Sequence, residues 1–306
     1  MTGPDASGER DPLASPGGGR RPPWSEFRAA LEEARFRPTK GLGQNFLVDP
    51  NAAKAIAAEA ELASGARVLE IGAGCGFLTV HLAELGVELV AVEIDERLLA
   101  IARRFLAGEG RVRFVLADVL AGKHALAPAV AEHLPAREPW HLVSNLPYSI
   151  SAPVLAVLAR LANPPRSMTV LVQEEVAERV AAEPGGEAWG ALTARLALLY
   201  RARLLRRVGA QLFWPRPRVG SRVVRLDLQP LDGLRTEDLA GYDALVDGLF
   251  QHRRKQLLPV LAGHLGGDRE RAAGVLEGLG LDPRLRPEAL APAALLALAR
   301  AAPRLT

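Results

Sequence analysis

RVLEIGAGCGFLTV, residues 67–80, decides the fold. Arg67 to Gly72 is a short apolar run ending in glycine, the form of a strand buried on both faces of a parallel sheet. Gly72, Gly74 and Gly76 follow within five positions, and a helical segment (77–86) starts directly after them. Strand, glycine turn and helix bring backbone amides to the carboxyl end of a sheet, where glycine lets the chain approach a ligand closely. Outward from this unit, ELVAVEID (88–95) and VRFVLAD (112–118) repeat the strand form and each ends in an acid. WHLVSNLP (140–147) and MTVLVQ (168–173) come next, with helical segments at 96–107 and 151–161. This alternation predicts an α/β protein with a parallel sheet. LLRRV (204–208) and SRVVRLDLQP (221–230) alternate apolar and polar residues and predict an antiparallel pair closing the sheet. From about 232 strand signals vanish, and segments 236–251, 253–264, 269–279 and 288–301 predict a small all-helical domain. Residues 1–23 are rich in Gly, Pro, Ser and Ala and predict a disordered stretch, followed by one short helix from Trp24 to Arg35. The expected organisation is a disordered or weakly helical tail over 1–36, an α/β domain over 37–231 and the helical domain over 232–306.

Composition narrows the function. The 306 residues are 49% hydrophobic and 24% charged, as in ordinary globular chains. The 38 cations against 35 acids give +3, and only four of the cations are Lys. Arginine suits phosphate and base contacts. A single cysteine, Cys75, excludes an intramolecular disulfide framework and a cysteine-based zinc site, and fits a reducing cytoplasmic setting. No apolar run reaches the ~18 residues of a spanning helix. The first residues lack the apolar core of a signal peptide, and six acids among residues 1–37 argue against a mitochondrial transit peptide. His252 and His264 have no metal-ligand pattern, so no metal is expected.

The glycine spacing selects the ligand. A dinucleotide fingerprint reads G-x-G-x-x-G. Here the third glycine comes one residue early and Phe77 stands in its place, which disfavours an NAD oxidoreductase. The G-x-G-x-G form, preceded by Glu70, resembles the S-adenosylmethionine loop of Rossmann-like class I methyltransferases; a purely structural glycine turn is the alternative. Glu93, at the end of the next strand, can take ribose hydroxyls. Asp118 stands where such enzymes hold the adenine amino group, although Asp is also a favoured helix cap.

Asn145-Leu146-Pro147-Tyr148 ends the fourth predicted strand. It resembles the N/D-P-P-Y/F motif of amino methyltransferases, with Leu for the first Pro. An adenine amino nitrogen is a poor nucleophile because its lone pair is delocalised into the ring. Two acceptors aimed at its hydrogens, the Asn145 side-chain oxygen and the Leu146 carbonyl, can turn that lone pair toward a methyl donor. Tyr148 offers a stacking face for an extruded base, an interaction of roughly 1–3 kcal/mol.

Together Lys40-Gly41-Leu42-Gly43-Gln44-Asn45-Phe46-Leu47, the glycine loop, NLPYSIS (145–151), QEEVAER (173–179), FWPRPRVGSRVVRL (213–226), LFQHRRKQL (249–257) and RPEAL (286–290) resemble the ribosomal RNA adenine N6,N6-dimethyltransferase family. The resemblance runs from about Arg37 to about Leu296. It implies a Rossmann-like catalytic domain using S-adenosylmethionine and a C-terminal domain that contacts RNA or the ribosome. It implies that Gln44, Asn45 and Leu47 cover the cofactor, Gly72 and Gly74 hold its methionine part, Glu93 its ribose and Asp118 its adenine. Asn145, Leu146, Pro147 and Tyr148 would hold the target base, with Phe213 closing its other face. The implied reaction adds four methyl groups to two adjacent adenosines in the 3′-terminal hairpin of small-subunit RNA within an assembling particle. A monomer without membrane attachment is expected. The family usually carries Lys where Glu174 stands, an acid where Gly220 stands and Ser-Lys near Gly186-Glu187, and Gln256 and Pro259 break its usual basic helix.

Eight arginines and no acid lie between Arg201 and Arg225, around Phe213-Trp214-Pro215. Arg216, Arg218 and Arg222 in this stretch, with Arg253, Arg254 and Lys255 at the expected start of a helix, are the candidate RNA contacts. A solvated strand face, with Phe213 in the core, is the alternative. Two other functions stay open: a large-subunit adenine methyltransferase of the macrolide-resistance type, and a non-catalytic assembly factor.

Overall fold

The computed structural model describes residues 21–303 apart from Lys40, Leu42, Lys123 and His124. The disorder expected of residues 1–20 therefore lies outside the described residues. Helix α1 (Trp24–Glu33), the two-residue β1 (Phe46–Leu47) and helix α2 (Pro50–Glu59) precede the sheet. Then strands and helices alternate: β2 (Arg67–Ile71), α3 (Phe77–Ala83), β3 (Glu88–Glu93), α4 (Glu96–Phe105), β4 (Val112–Leu116), α5 (Pro128–Ala131), β5 (Trp140–Asn145), α6 (Ser151–Leu158) and β6 (Ser167–Gln173). Helices α7 (Glu174–Val180) and α8 (Ala191–Ala197) lead to β7 (Tyr200–Val208), β8 (Phe213–Trp214) and β9 (Ser221–Leu228). Four helices end the chain: α9 (Asp238–Phe250), α10 (Leu257–His264), α11 (Arg269–Gly278) and α12 (Pro292–Ala301).

The main sheet has the order β4-β3-β2-β5-β6-β9-β7. Its first five strands are parallel, and β9 runs antiparallel to both β6 and β7. The α/β sheet with an antiparallel closing pair is as expected. Strand order reverses between β2 and β5, and such a switch point opens a crevice at the carboxyl ends of the strands. Alternate residues feed two cores. Val68, Val143 and Val223 pack with α1 to α4 on one face. Leu69, Leu142 and Val224 pack with α6 and α7 on the other.

Local chemistry sets the element ends. Asp49 caps α2 by accepting the Ala52 amide at 2.7 Å, with Pro50 at the first helical position. Asp95 caps α4 in the same way through Arg97. Helix α10 begins at Leu257 and not at 253, so Arg253, Arg254 and Lys255 sit in the turn before it. Proline is tolerated within the first helical turn, where amides lack intrahelical partners, so Pro259 fixes a late start. Pro292 likewise opens α12, four residues after the expected position.

A third core joins Trp189, Ala194 and Leu198 to α9, α10, α11 and α12. Ion pairs clamp α9 to the sheet layer, where Asp243 receives Arg160 at 2.7 Å and Arg195 at 3.3 Å. Within the helical domain, Asp238 lies between Arg235 and Arg300 at 2.9 and 2.6 Å and ties α9 to α12.

Helix α1 differs from the weak helix expected of it. Phe27, Ala30 and Leu31, spaced three and one apart, are buried in the first core. The Phe27 ring lies 5.3 Å from Phe77 and 4.1 Å from Phe105. Replacing Phe27 with Ala should cost ~3–5 kcal/mol of stability, read as a lowered denaturant midpoint. A change under 1 kcal/mol would show that α1 is not part of the cooperative core.

Candidate active site

The crevice at the switch point is a cleft of about 1020 Å³, counting its open mouth. Sites for small ligands enclose roughly 300–1,000 Å³. Its floor is the glycine turn after β2. The amides of Gly72 and Ala73 both donate to the Val92 carbonyl, at 2.8 and 3.0 Å. The Gly74 amide donates to Glu93 Oε2 at 2.8 Å, while Glu93 Oε1 accepts from Ile94 and Asp95, each at 2.9 Å. One carboxylate at the end of β3 therefore holds both its own turn and the turn of its neighbour. Burial raises the Glu93 pKa, and the three amides oppose the rise.

Gly72 has φ +71°, and a Cβ there would meet Pro147 Cγ at 2.8 Å. Gly74 has φ +58°, and a Cβ there would meet the Phe46 ring at 3.0 Å. Only glycine fits both backbone and neighbour at Gly72. The missing side chains make a bare cradle between the turn, Phe46 and Pro147.

The opposite wall is Asn145-Leu146-Pro147-Tyr148 at the end of β5. The Asn145 side-chain amide donates to the Asn45 carbonyl at 3.0 Å. A carbonyl can only accept, so this bond fixes which side-chain atom is nitrogen. Asn145 Oδ1 is then left buried with no donor. The Leu146 amide donates to Leu171, and no described residue donates to the Leu146 carbonyl. The Tyr148 hydroxyl lies 2.6 Å from Ser221 Oγ, and burial raises its pKa.

The segment before β1 forms the cover. Gln44, Asn45 and Leu47 all border the cleft. Their polar side chains bond locally: Gln44 accepts the Thr39 amide at 2.8 Å, and Asn45 donates to the Gly43 carbonyl at 3.1 Å. β1 is held by pairing with β8, Phe46 opposite Trp214 and Leu47 opposite Phe213. Asp118 is exposed at the mouth and accepts the Leu120 amide at 3.0 Å, so it caps a turn as well as bordering the cleft.

The structure thus brings together Gln44, Asn45, Leu47, Gly72, Gly74, Glu93, Asp118, Asn145, Leu146, Pro147 and Tyr148. Phe213 is not with them. It is 4% exposed, belongs to the first core and does not border the cleft. Its place opposite Leu47 in the β1–β8 pair makes it a brace behind the cover and not a second stacking face.

The basic stretch divides as well. Arg203, Arg206, Arg207 and Arg225 form ion pairs with Asp227, Glu59, Glu174 and Glu61. Arg222 donates to the Leu205 carbonyl at 3.1 Å, and Arg253 to the Trp189 carbonyl at 3.2 Å. Arg216, Arg218, Arg254 and Lys255 are exposed, with no ion pair among the described residues. No group of three or more metal-ligating side chains occurs among the described residues.

Sequence reasoning noted Glu70 only as the acid before the glycine turn, without a role in the site, and did not single out Ile94 or Ser221. Glu70 borders the cleft, and one of its oxygens is buried without a donor. Burial pushes its pKa up to about 8; the Thr79 hydroxyl opposes this and Glu93 adds to it. The acid directly before the glycine turn was the available signal. Ile94 borders the mouth and is 47% exposed, unusual for a large apolar residue. Burial also pushes the Cys75 thiol up to about 12, so it is no nucleophile.

The family model for ribosomal RNA adenine dimethylase matches residues 35–282. The chain is 41% identical to a ribosomal RNA small subunit methyltransferase A from Acidothermus cellulolyticus, over 91% of this chain and 94% of that one. It is 37% identical to the protein of that name from Corynebacterium diphtheriae, over 90% and 93%. Among solved structures, the 23S rRNA methyltransferase ErmE superposes with a TM-score of 0.63 at 26% identity, covering 84% of this chain and 99% of that one. A dimethyladenosine transferase from Plasmodium falciparum shares the fold, with a TM-score of 0.69 at 23% identity over 82% and 94%.

The buried Glu70 makes stability depend on pH. In the folded chain it loses its proton near pH 8, in the unfolded chain near 4.5. The folded state binds the extra proton between these values, so Glu70 lowers stability as pH rises through that window and adds no further slope above it. Glu70→Gln should flatten the fall in melting temperature between pH 5 and 8, worth at most a few kcal/mol at about 1.4 kcal/mol per unit. An unchanged slope would show that Glu70 is ionised throughout.

Proposed function

The chain belongs to the ribosomal RNA adenine dimethylase family, and from that membership and the cleft we infer that it dimethylates N6 of two adjacent adenosines in the 3′-terminal hairpin of small-subunit RNA, using S-adenosylmethionine. The observation that carries the reading is the buried, donor-free Asn145 Oδ1 beside the bare Gly72–Gly74 cradle. An acceptor in that state has an amino group as its natural partner.

The cleft fits the cofactor. It offers a side-chain-free turn, three carboxyl groups (Glu70, Glu93 and Asp118) and apolar walls from Phe46, Leu47 and Ile94. Gly72 and Gly74 would hold the methionine part, Glu93 the ribose and Asp118 the adenine, under the cover of Gln44, Asn45 and Leu47. When bound, S-adenosylmethionine supplies a methyl group on a sulfonium sulfur that is its own leaving group.

The protein's own contribution is orientation and polarisation. Asn145 Oδ1 and the Leu146 carbonyl accept the two hydrogens of the adenine amino group, which turns the nitrogen lone pair out of conjugation. Tyr148 stacks on the base, and Pro147, packed on Gly72, sets the distance between base and cofactor. Both acceptors are carbonyl oxygens, whose partial negative charge stabilises the positive charge the amino group gains as the methyl arrives, before the nitrogen releases a proton to solvent.

The reading extends to an assembling small subunit as substrate, a monomeric enzyme and a cytoplasmic setting. No helix among the described residues is long and apolar enough to cross a membrane. Residues 37–231 serve as the catalytic unit and 232–306 as the helical unit that contacts RNA. Arg216, Arg218, Arg254 and Lys255 are the leading groups for phosphate contact, exposed and without an ion pair among the described residues; Arg222 and Arg253 keep their charge, but each already gives N–H bonds to the protein's own carbonyls. The fold shared with ErmE keeps large-subunit RNA as the second reading.

Labelled methyl transfer to unmethylated small subunits, large subunits and naked RNA tests this directly. Dimethyladenosine in the small subunit alone is expected, and label in large-subunit RNA would favour the second reading. Asn145→Ala should lower transfer by about 100-fold or more while the cofactor still raises the melting temperature; unchanged transfer would remove Asn145 from the site. Neutralising Arg216, Arg218, Arg254 and Lys255 together should weaken RNA binding and lower its salt slope by about 0.7–0.9 per lost contact. An unchanged slope would place the phosphates elsewhere.

A further inference from the structure

Tyr148 is held at both ends. Its backbone is anchored where the Leu146 amide donates to Leu171 and where its own carbonyl accepts the Ser151 hydroxyl at 3.2 Å. Its phenol oxygen lies 2.6 Å from Ser221 Oγ, across 73 residues of chain. Ser221 is 1% exposed and opens β9, the strand between β6 and β7. Its backbone is in register with Gln173 on one side and Val208 on the other. Just before it, the Gly220 carbonyl accepts the Glu174 amide at 3.1 Å. The hydroxyl thus projects from one of the most constrained points of the antiparallel half of the sheet.

We infer that Ser221 is a positioning residue for the target adenine: its hydroxyl clamps the Tyr148 phenol and so sets the plane on which the base stacks. The inference rests on the adenine-N6 reading above and deepens it. A tyrosine ring anchored only by its backbone turns about two side-chain bonds. A hydrogen bond at the far end of the ring removes both freedoms before the base arrives, and geometry fixed in advance is what orientation catalysis needs. Stacking supplies area, but the bond to Ser221 supplies direction. The phenol stays neutral at physiological pH, because burial lifts its pKa above the usual tyrosine value, so the clamp keeps its proton there.

The experiment compares Ser221→Ala, Tyr148→Phe and the double variant on whichever RNA the wild-type protein methylates. Each single change breaks the same bond, and Tyr148→Phe keeps the ring. Each should lower kcat about five- to twentyfold, the loss of one buried hydrogen bond, with cofactor affinity unchanged by calorimetry. The double variant should be no worse than either single one. Where Ser221→Ala lowers the melting temperature enough to obscure its kinetics, Tyr148→Phe carries the test alone. Single variants with wild-type kcat, or losses that multiply in the double variant, overturn the clamp while leaving the methylation reading intact. A wild-type protein inactive on every RNA overturns both.

Discussion

Three backbone amides converge on one buried carboxylate, and the catalytic edge of the sheet is built on that convergence. Glu93 takes the Gly74 amide with one oxygen and the Ile94 and Asp95 amides with the other. Burying a carboxylate is unfavourable, and three N–H donors offset much of the penalty. The result fixes the glycine turn of β2 relative to the end of β3. That turn seats Pro147, Pro147 carries the Asn145–Tyr148 segment, and Asn145 reaches back to the cover through Asn45. A displacement at Glu93 would pass along all of these contacts.

The parallel strands β2, β3, β5 and β6 could be read from sequence because they are largely buried, and a short, mostly apolar run fits little besides such a strand; β4, at the sheet edge with Arg113 and Leu116 exposed, was legible from its likeness to them. The glycine turn and Asn145–Tyr148, singled out in the sequence for their residue types, meet at one cleft. What escaped depended on distant partners. Helix α1 was expected as a short helix, but its burial in the core was not, because only the rings of Phe77 and Phe105 reveal why Phe27 is there. Phe213 sits in a basic stretch, where an aromatic residue suggests a base platform, but the pairing of β8 with β1 turns it inward. Ser221 gives no local signal, since a serine at a strand start is ordinary until Tyr148 is placed above it. Helices α7 and α8 were missed because they are short and lack strong periodicity.

The charge of Glu174 is compensated locally, by an ion pair with Arg207 at 2.7 Å. A Cβ at Gly220 would lie 3.5 Å from Glu174 Oε2. An acid at 220 would therefore set two like charges side by side, which glycine avoids. Arg207 is thereby used within the protein, as are Arg203, Arg206 and Arg225. A count of arginines between 201 and 225 overstates the charge available to a polyanion.

The contact between Gly72 and Pro147 joins two segments far apart in the chain with no spare space between them. Neither position is free to drift alone over evolutionary time. A side chain gained at 72 would push the ring at 147 outward, and with it Asn145 and Leu146 before it and Tyr148 after it. Only a simultaneous change at the partner and in the backbone of the turn would restore the fit. The two residues therefore form a single heritable unit, and a lineage that altered the gap between cofactor and base would have to cross an intermediate in which neither is properly seated.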